Sequence, residues 1–420
     1  MTPVQKDEGM VRQKAMLQAH AERAARARDE GRKVVYTFVP GNLVELLLSF
    51  DVEPVYPEIT ALQSGMRRAS DRYIREAERA GHAEDVCSYV KCDVGMALAG
   101  DVGPGKTVPA PDLLLLSGTG CATFYKWFES LAGIWRAPVA LLQVPYQADG
   151  AVTDEMRRYV VAQIRDDVIP ALERLTGRRF DIDRLREHLR LSARAEDAYS
   201  AVVESARRRP SPIDAYFGMV FYVGPIFTAL RGTLEAVEYY ERLRAEVETR
   251  ARAGLGPVTP DGPMGEQRFR LVVEGPPCWT AFRDLWKLFS DAGAVVVAST
   301  YSKVGGLYDT GFRHDPDRPL ESLADYCLGC YTNLSLPQRL ALVERYVRDY
   351  EADGFVVHSV KSCKAFGVGQ PLLLREVERR AGVPGCFLES DLVDSRYFSH
   401  ANVRNRLESF LQAIDMRRKA

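Results

Sequence analysis

The sequence predicts an α/β protein of two doubly wound, parallel-sheet domains, with a helical N-terminus and a helical insert between them. Three observations point there. Short apolar runs alternate with helical spacing in both halves of the chain. Strand signals vanish between Thr153 and about Ala253. Finally, one peptide design occurs twice, as an apolar strand, a short loop, a cysteine and a helix start: Leu113-Leu-Leu-Leu-Ser-Gly-Thr-Gly-Cys121 and Phe355-Val-Val-His-Ser-Val-Lys-Ser-Cys363. The boundaries that follow are 1–32 for the N-terminal helical segment, 33–152 for the first α/β domain, 153–265 for the helical region and 266–420 for the second α/β domain.

Taken in order, Lys33 to Val39 is a β-rich run ended by Pro40-Gly41, after which Asn42 can cap a helix through Phe50. Pro54 to Tyr56 begins the next extended segment. Helical patterning covers Ile59 to Gly81 and Glu84 to Leu98. Asp112 to Leu116 and Val139 to Val144 read as buried strands around a helix from Ala122 to Leu131. In the insert, Met156 to Leu175, Asp183 to Arg207 and Leu230 to Arg252 show helical spacing with charged faces. Strands return at Phe269 to Glu274, Ala294 to Ala298, Gly354 to Val357 and Cys386 to Glu389. Helices at Thr280 to Asp291, Pro337 to Ala352 and Pro371 to Ala381 separate them, and another near Asn402 to Met416 closes the chain.

Composition narrows the function. At 420 residues and 46% apolar content the chain supports more than one core. Its 56 Lys and Arg nearly cancel 57 Asp and Glu, so no global basic field argues for nucleic acid. The longest apolar run, Ala215 to Leu230, is shorter than the roughly 20 residues a membrane span needs and is interrupted by Gly224-Pro225. Eight dispersed cysteines and an acidic, arginine-rich N-terminus argue against a secreted disulfide scaffold or a targeting peptide, so a reduced cytoplasmic setting is expected.

Gly100-Asp-Val-Gly-Pro-Gly-Lys106-Thr107 matches the phosphate-loop pattern letter by letter. A working loop of that kind follows a strand and opens a helix. Here a helix precedes the match, while Pro109, Pro111 and a strand follow it. The match reads as a flexible connection, and any ATP hydrolysis the function needs is expected from another protein.

Cys121 and Cys363 sit beyond the carboxyl ends of parallel strands, where open α/β sheets gather ligands. Each also lies at a helix start, where free amides and the helix dipole favour a thiolate, a lowered pKa and soft-metal binding. Cys87 starts a helix in the first α/β domain and is the third candidate. Cys92 is about 140° further round that helix and faces elsewhere. The competing reading is plain burial, because free cysteines behave as small apolar groups. Cys278, after a strand and Gly275-Pro-Pro277, is the alternative third ligand. Cys327-Leu-Gly-Cys330 is a lone C-x-x-C pair, a weak metal or redox signal, and Cys386 reads as core. His358 and Glu274 lie at strand ends as weak proton-transfer candidates, with backbone-satisfied burial and turn capping as the alternatives.

Asp85-Val-Cys-Ser-Tyr-Val-Lys91, Cys121 to Trp127, His358-Ser-Val-Lys-Ser-Cys363, and Glu389-Ser-Asp-Leu-Val-Asp394 with Arg396-Tyr-Phe398 together resemble the 2-hydroxyacyl-CoA dehydratase and benzoyl-CoA reductase family. The likeness is greatest to the larger cluster-bearing subunits of its ATP-dependent benzoyl-CoA reductases and covers nearly the whole chain. It implies two flavodoxin-like domains and one 4Fe-4S cluster per chain, held by Cys87, Cys121 and Cys363, with one iron open to water or substrate. It also implies a homologous second cluster-bearing subunit, a homodimeric ATPase that activates electrons, ferredoxin as upstream donor, and an acyl-CoA substrate. The activity implied is low-potential electron transfer that dearomatises the ring to a cyclic dienoyl-CoA. Two alternatives are a 2-hydroxyacyl-CoA dehydratase subunit, which recycles its electron through a ketyl radical, and a double-cubane-type iron-sulfur reductase. Cys278, Cys327 and Cys330 fall outside the motif set.

Overall fold

The computed structural model describes residues 7–102, 106–148, 150–226, 230–303 and 310–419. The first sheet contains β1 (Val34–Thr37), β2 (Glu53–Val55), β3 (Leu113–Ser117) and β4 (Val139–Leu142), all parallel, in the order β2-β1-β3-β4. A two-residue ribbon, β5 (Val258–Thr259) and β6 (Gly262–Pro263), precedes the second sheet. That sheet contains β7 (Phe269–Glu274), β8 (Ala294–Ser299), β9 (Gly354–Val360) and β10 (Gly385–Ser390), again parallel, in the order β10-β9-β7-β8.

Both halves share one topology. The first strand of each sheet lies between the second and the third, and the fourth lies outside the third. The chain therefore reverses its winding between β1 and β3, and again between β7 and β9. At such a switch point the loops beyond the strand ends diverge and open a crevice. Cys121 follows β3 and Cys363 follows β9, so the repeated peptide design places the two thiols at corresponding crevices.

Both faces of each sheet are covered, as parallel sheets require. In the first, Val35, Leu113 and Leu115 pack against Leu46, Leu47 and Leu172, while Val34, Tyr36, Leu114 and Leu116 meet Phe124, Trp127 and Phe128 on the other side. In the second, Val272, Phe355 and Val357 face Val343 and Tyr346, while Leu271, Val273 and Val356 face Trp286, Leu407 and Phe410. The insert spans both halves: helix Ile182–Glu204 packs on Leu234–Arg252 and on Val44–Ser49. Helix Glu8–Arg26, capped by Asp7, whose side chain accepts from the Met10 amide at 2.8 Å, lies against Phe217–Pro225 and Leu234–Arg252.

Several expectations change. The pattern from Ile59 to Gly81 forms two helices, Pro57–Met66 and Ser70–Arg79, with Arg68 in the left-handed region between them. Val139 to Val144 is not a buried strand: β4 stops at Leu142 and forms the sheet edge, leaving Val139 46% exposed, because no strand among the described residues covers its outer side. Helix Pro319–Leu328, which carries Cys327, has no counterpart in the sequence prediction. The Gly100-to-Thr107 segment follows helix Ser88–Leu98 and leads to β3; its residues 103–105 lie outside the described residues.

Candidate functional site

Cys87, Cys121 and Cys363 line the same cavity, of about 680 Å³. Cys87 is the N-cap residue of helix Ser88–Leu98, and Cys363 that of the short helix Lys364–Gly367. Cys121 precedes helix Thr123–Trp135 by two residues. Amides at these helix starts have no partner within their own helix and turn to sulfur. Tyr89 and Val90 donate to Cys87, Thr123 and Phe124 to Cys121, and Phe366 to Cys363.

The thiols are electrostatically coupled. Negative charge on Cys121 or Cys363 raises Cys87, and Cys121 raises Cys363. All three pKa values are pushed up, chiefly by burial, with Cys363 reaching about 12. This reverses the sequence expectation of lowered values. In a water-poor cavity the cost of desolvating three thiolates exceeds what a few amide dipoles return.

Among the described residues no three His, Cys, Asp or Glu side chains close tightly enough for one metal ion. Three sulfur donors around a shared space, each with amide groups directed at it, instead form the donor chemistry of an iron-sulfur group, which is larger than an ion. The residues present fit such a group.

The site is braced from behind. Asp391, just past β10, accepts from the Ser88 hydroxyl, from the Ser362 amide at 3.0 Å and from the Ser362 hydroxyl at 3.0 Å. The Ser88 amide also donates to the Ser362 oxygen at 3.0 Å. Lys91, buried beside Asp394 at 3.7 Å, pairs with Glu78 at 2.9 Å, and Glu78 and Asp394 both bind Arg396. The resemblance motifs around Cys87 and Asp394 are thus one interdomain anchor. On the Cys121 side, Gly120 has φ +74 and a Cβ there would overlap the Thr332 carbonyl, so glycine lets this loop press onto the segment after Cys330.

Glu274 does not line the cavity. Its carboxylate pairs with Arg339 and accepts from the Tyr331 hydroxyl at 3.0 Å and from Gln370 at 2.6 Å. Arg339 reaches on to the carbonyls of Ala365 and Phe366, both at 3.3 Å, within the Cys363 helix. Glu274 therefore holds Arg339, which holds that helix. His358 is also off the cavity wall. Its Nδ1 lies 2.6 Å from the Pro276 carbonyl and its Nε2 2.8 Å from the Ser390 hydroxyl, and burial lowers its pKa to about 4. It is a satisfied core histidine.

Cys278 is buried beside Thr280 and does not reach the cavity. Cys327 donates to the Gly41 carbonyl at 3.4 Å, whereas Cys330 lines the cavity wall. Cys92 and Cys386 are core residues.

Sequence reasoning missed Glu58. It is the one carboxylate among the described lining residues, and it accepts from the Val39 amide at 2.5 Å. Burial, with Asp93 nearby, raises its pKa to about 8, so it carries a proton at neutral pH. As the second residue of a helix it resembles an ordinary helix-dipole carboxylate, and only the fold turns it inward. Tyr89, Phe124, Trp127, Trp279 and Tyr301 supply aromatic wall around it.

Two parallel-sheet α/β domains of one topology with three thiols on the wall of one aromatic-lined cavity define the class of protein. The chain belongs to the 2-hydroxyglutaryl-CoA dehydratase, D-component family, whose model matches residues 37–414. It is 58% identical to a subunit of the benzoyl-CoA reductase of Thauera aromatica over 98% of this chain and 96% of that protein. It is 25% identical to the (R)-phenyllactyl-CoA dehydratase alpha subunit of Clostridium sporogenes, over 94% and 93% of the two chains. The same identity relates it, over the same shares, to the (R)-2-hydroxyisocaproyl-CoA dehydratase alpha subunit of Clostridioides difficile.

Proposed function

We propose that this chain is the iron-sulfur subunit of an ATP-dependent benzoyl-CoA-type reductase, with Cys87, Cys121 and Cys363 as the ligands of one 4Fe-4S cluster that keeps one iron open. The observation that carries the reading is the shared cavity wall of these three cysteines in a chain 58% identical to a benzoyl-CoA reductase subunit. When bound, the cluster supplies single electrons of low potential to the acyl thioester.

The chain's own residues prepare the rest. Reduction of the ring to a diene takes up two electrons and two protons. Glu58 holds one proton at its carboxyl on the cavity wall, with Val39 fixing its other oxygen. Trp127 is held by its indole N–H to Asp93 at 2.8 Å, and the Trp279 indole donates to the Tyr89 hydroxyl. Rings fixed in this way offer flat apolar faces to an aromatic acyl group and exclude water from it. Of the weak proton-transfer candidates, Glu274 becomes a positioning residue through Arg339 and His358 a core residue.

The partners in this reading are a homologous cluster-bearing subunit, a homodimeric ATPase and ferredoxin, all in the cytoplasm. Among the described residues no helix is long and apolar enough to cross a membrane. The division at 33–152, 153–265 and 266–420 treats the insert as a clamp between two α/β domains.

The test is anaerobic purification with the partner subunits and an assay for loss of benzoyl-CoA aromatic absorbance with ATP and a strong reductant. Sustained loss, with reductant consumed at every turnover, supports the reductase. The second reading, a 2-hydroxyacyl-CoA dehydratase subunit, has the support of 25% identity to two dehydratase alpha subunits. Turnover of a 2-hydroxyacyl-CoA after one activating electron, without consumption of the aromatic thioester, would establish that instead.

A further inference from the structure

Resting on the acyl-CoA reading above, we infer that Lys14 and Arg67 form the anion-binding rim of the cavity and take the phosphate-bearing nucleotide end of the thioester. Much of the cavity lining is apolar or aromatic and buried or part-buried, whereas Lys14, Gln18, Met66 and Arg67 are its exposed residues and mark its solvent edge; of these four only Lys14 and Arg67 carry charge. Lys14 stands on helix Glu8–Arg26, and Arg67 is the C-cap residue of helix Pro57–Met66. Two separate elements therefore each bring a cation to the exposed part of the cavity lining.

Their state of pairing differs from that of the arginines beside them. On helix Glu8–Arg26 the arginines at 12, 23 and 26 all have carboxylate partners. Arg68 and Arg72, beside the second rim position, pair with Asp284 and Asp101. Among the described residues neither Lys14 nor Arg67 has an ion pair. No acidic side chain among the described lining residues stands at the opening to neutralise them, since Glu58 is buried deeper and bound to Val39. Two cations without ion pairs at the exposed edge of a largely apolar cavity match a ligand with a long uncharged arm and a polyanionic head. A CoA thioester has that form: the pantetheine arm enters, and the phosphates stay at the solvent edge. Arginine offers a fork and lysine a point charge to phosphate oxygens.

The test compares two substrates on the whole partnered complex: benzoyl-CoA and benzoyl-pantetheine, which lacks the nucleotide. Lys14→Ala and Arg67→Ala are each expected to raise KM for the CoA thioester roughly 2- to 5-fold, as solvent-edge charge pairs do, and more together. KM for the pantetheine thioester stays at its wild-type value. Raising ionic strength weakens wild-type binding of the CoA thioester and has less effect on the double variant. Arg75→Ala, exposed on the next helix and off the cavity, controls for general surface charge. Turnover by the wild-type complex tests the functional reading on its own. With that turnover established, an equal rise in KM for both thioesters, or no rise for benzoyl-CoA, overturns the rim assignment.

Discussion

Ser88 and Ser362 are 274 residues apart, yet the Ser88 amide donates to the Ser362 hydroxyl oxygen at 3.0 Å, and Asp391 accepts from both side chains. Each serine is the chain neighbour of a cavity cysteine, Cys87 or Cys363. One carboxylate thus sets the separation of two thiols that belong to different α/β domains. Burial raises the Asp391 pKa against the lowering effect of the donors from Ser88 and Ser362.

Asp391→Ala should leave those donors buried without an acceptor, at a cost of about 2 kcal/mol or more. The expected outcome is a lowered midpoint of thermal unfolding together with faster loss of iron to a chelator. Ser362→Ala, which removes part of the clamp, should give a smaller change of the same kind. Iron retention at the wild-type rate in Asp391→Ala would dismiss the clamp.

Cys121→Ala and Cys363→Ala should each abolish the cluster spectrum while leaving the far-ultraviolet circular dichroism intact, since both thiols are only partly buried and line the cavity. Cys278→Ala, off the cavity, should keep the wild-type iron content. Wild-type iron in both cavity variants would refute the ligand set.

Glu58→Gln keeps the size of the side chain and the bond from Val39 but removes the acidic proton. Turnover should fall by ~10²-fold with little change in KM, in line with the loss of a positioned acid. In the wild-type complex the proton-bearing form is lost as pH rises through about 8, so kcat should decline above that pH. A pH-rate profile of Glu58→Gln that retains this decline would assign it to another group.

His358 is buried neutral, its pKa lowered from 6.5 to about 4 by desolvation. The unfolded chain takes up this proton near pH 6.5 and the folded chain only near pH 4. The contribution of His358 to stability is therefore full above pH 6.5 and is lost as pH falls from there towards 4, by of order 3 kcal/mol. Urea unfolding at pH 7 and pH 5 should show the decline, and His358→Asn, which keeps polar contacts without titrating, should flatten it.

The alternating strands and helices were legible in the sequence because buried parallel strands such as Leu113 to Ser117 are continuous apolar runs, bounded by glycine and charged residues. The duplicated strand-loop-cysteine design was legible for the same reason, and so were Cys121 and Cys363 as strand-end thiols. Helix Pro319–Leu328 escaped because its first half, Pro319-Leu-Glu-Ser, lacks a strong helical stripe and its burial is supplied by the insert. Val139 and Leu141 have the composition of a central strand, which predicts burial; their exposure depends on which strand stands last in the sheet.

What the sequence determined by itself was local: the period of apolar residues, the turns, and the placement of cysteines at helix starts, all set within a few residues along the chain. The tertiary structure alone decided the long-range matters. It turned Glu58 into a dry wall where its proton is retained, joined Ser88 to Ser362 through Asp391, and let desolvation outweigh the amide dipoles at all three thiols. Burial and separation in space fix the energy of a charge, and neither is encoded at any single position of the chain.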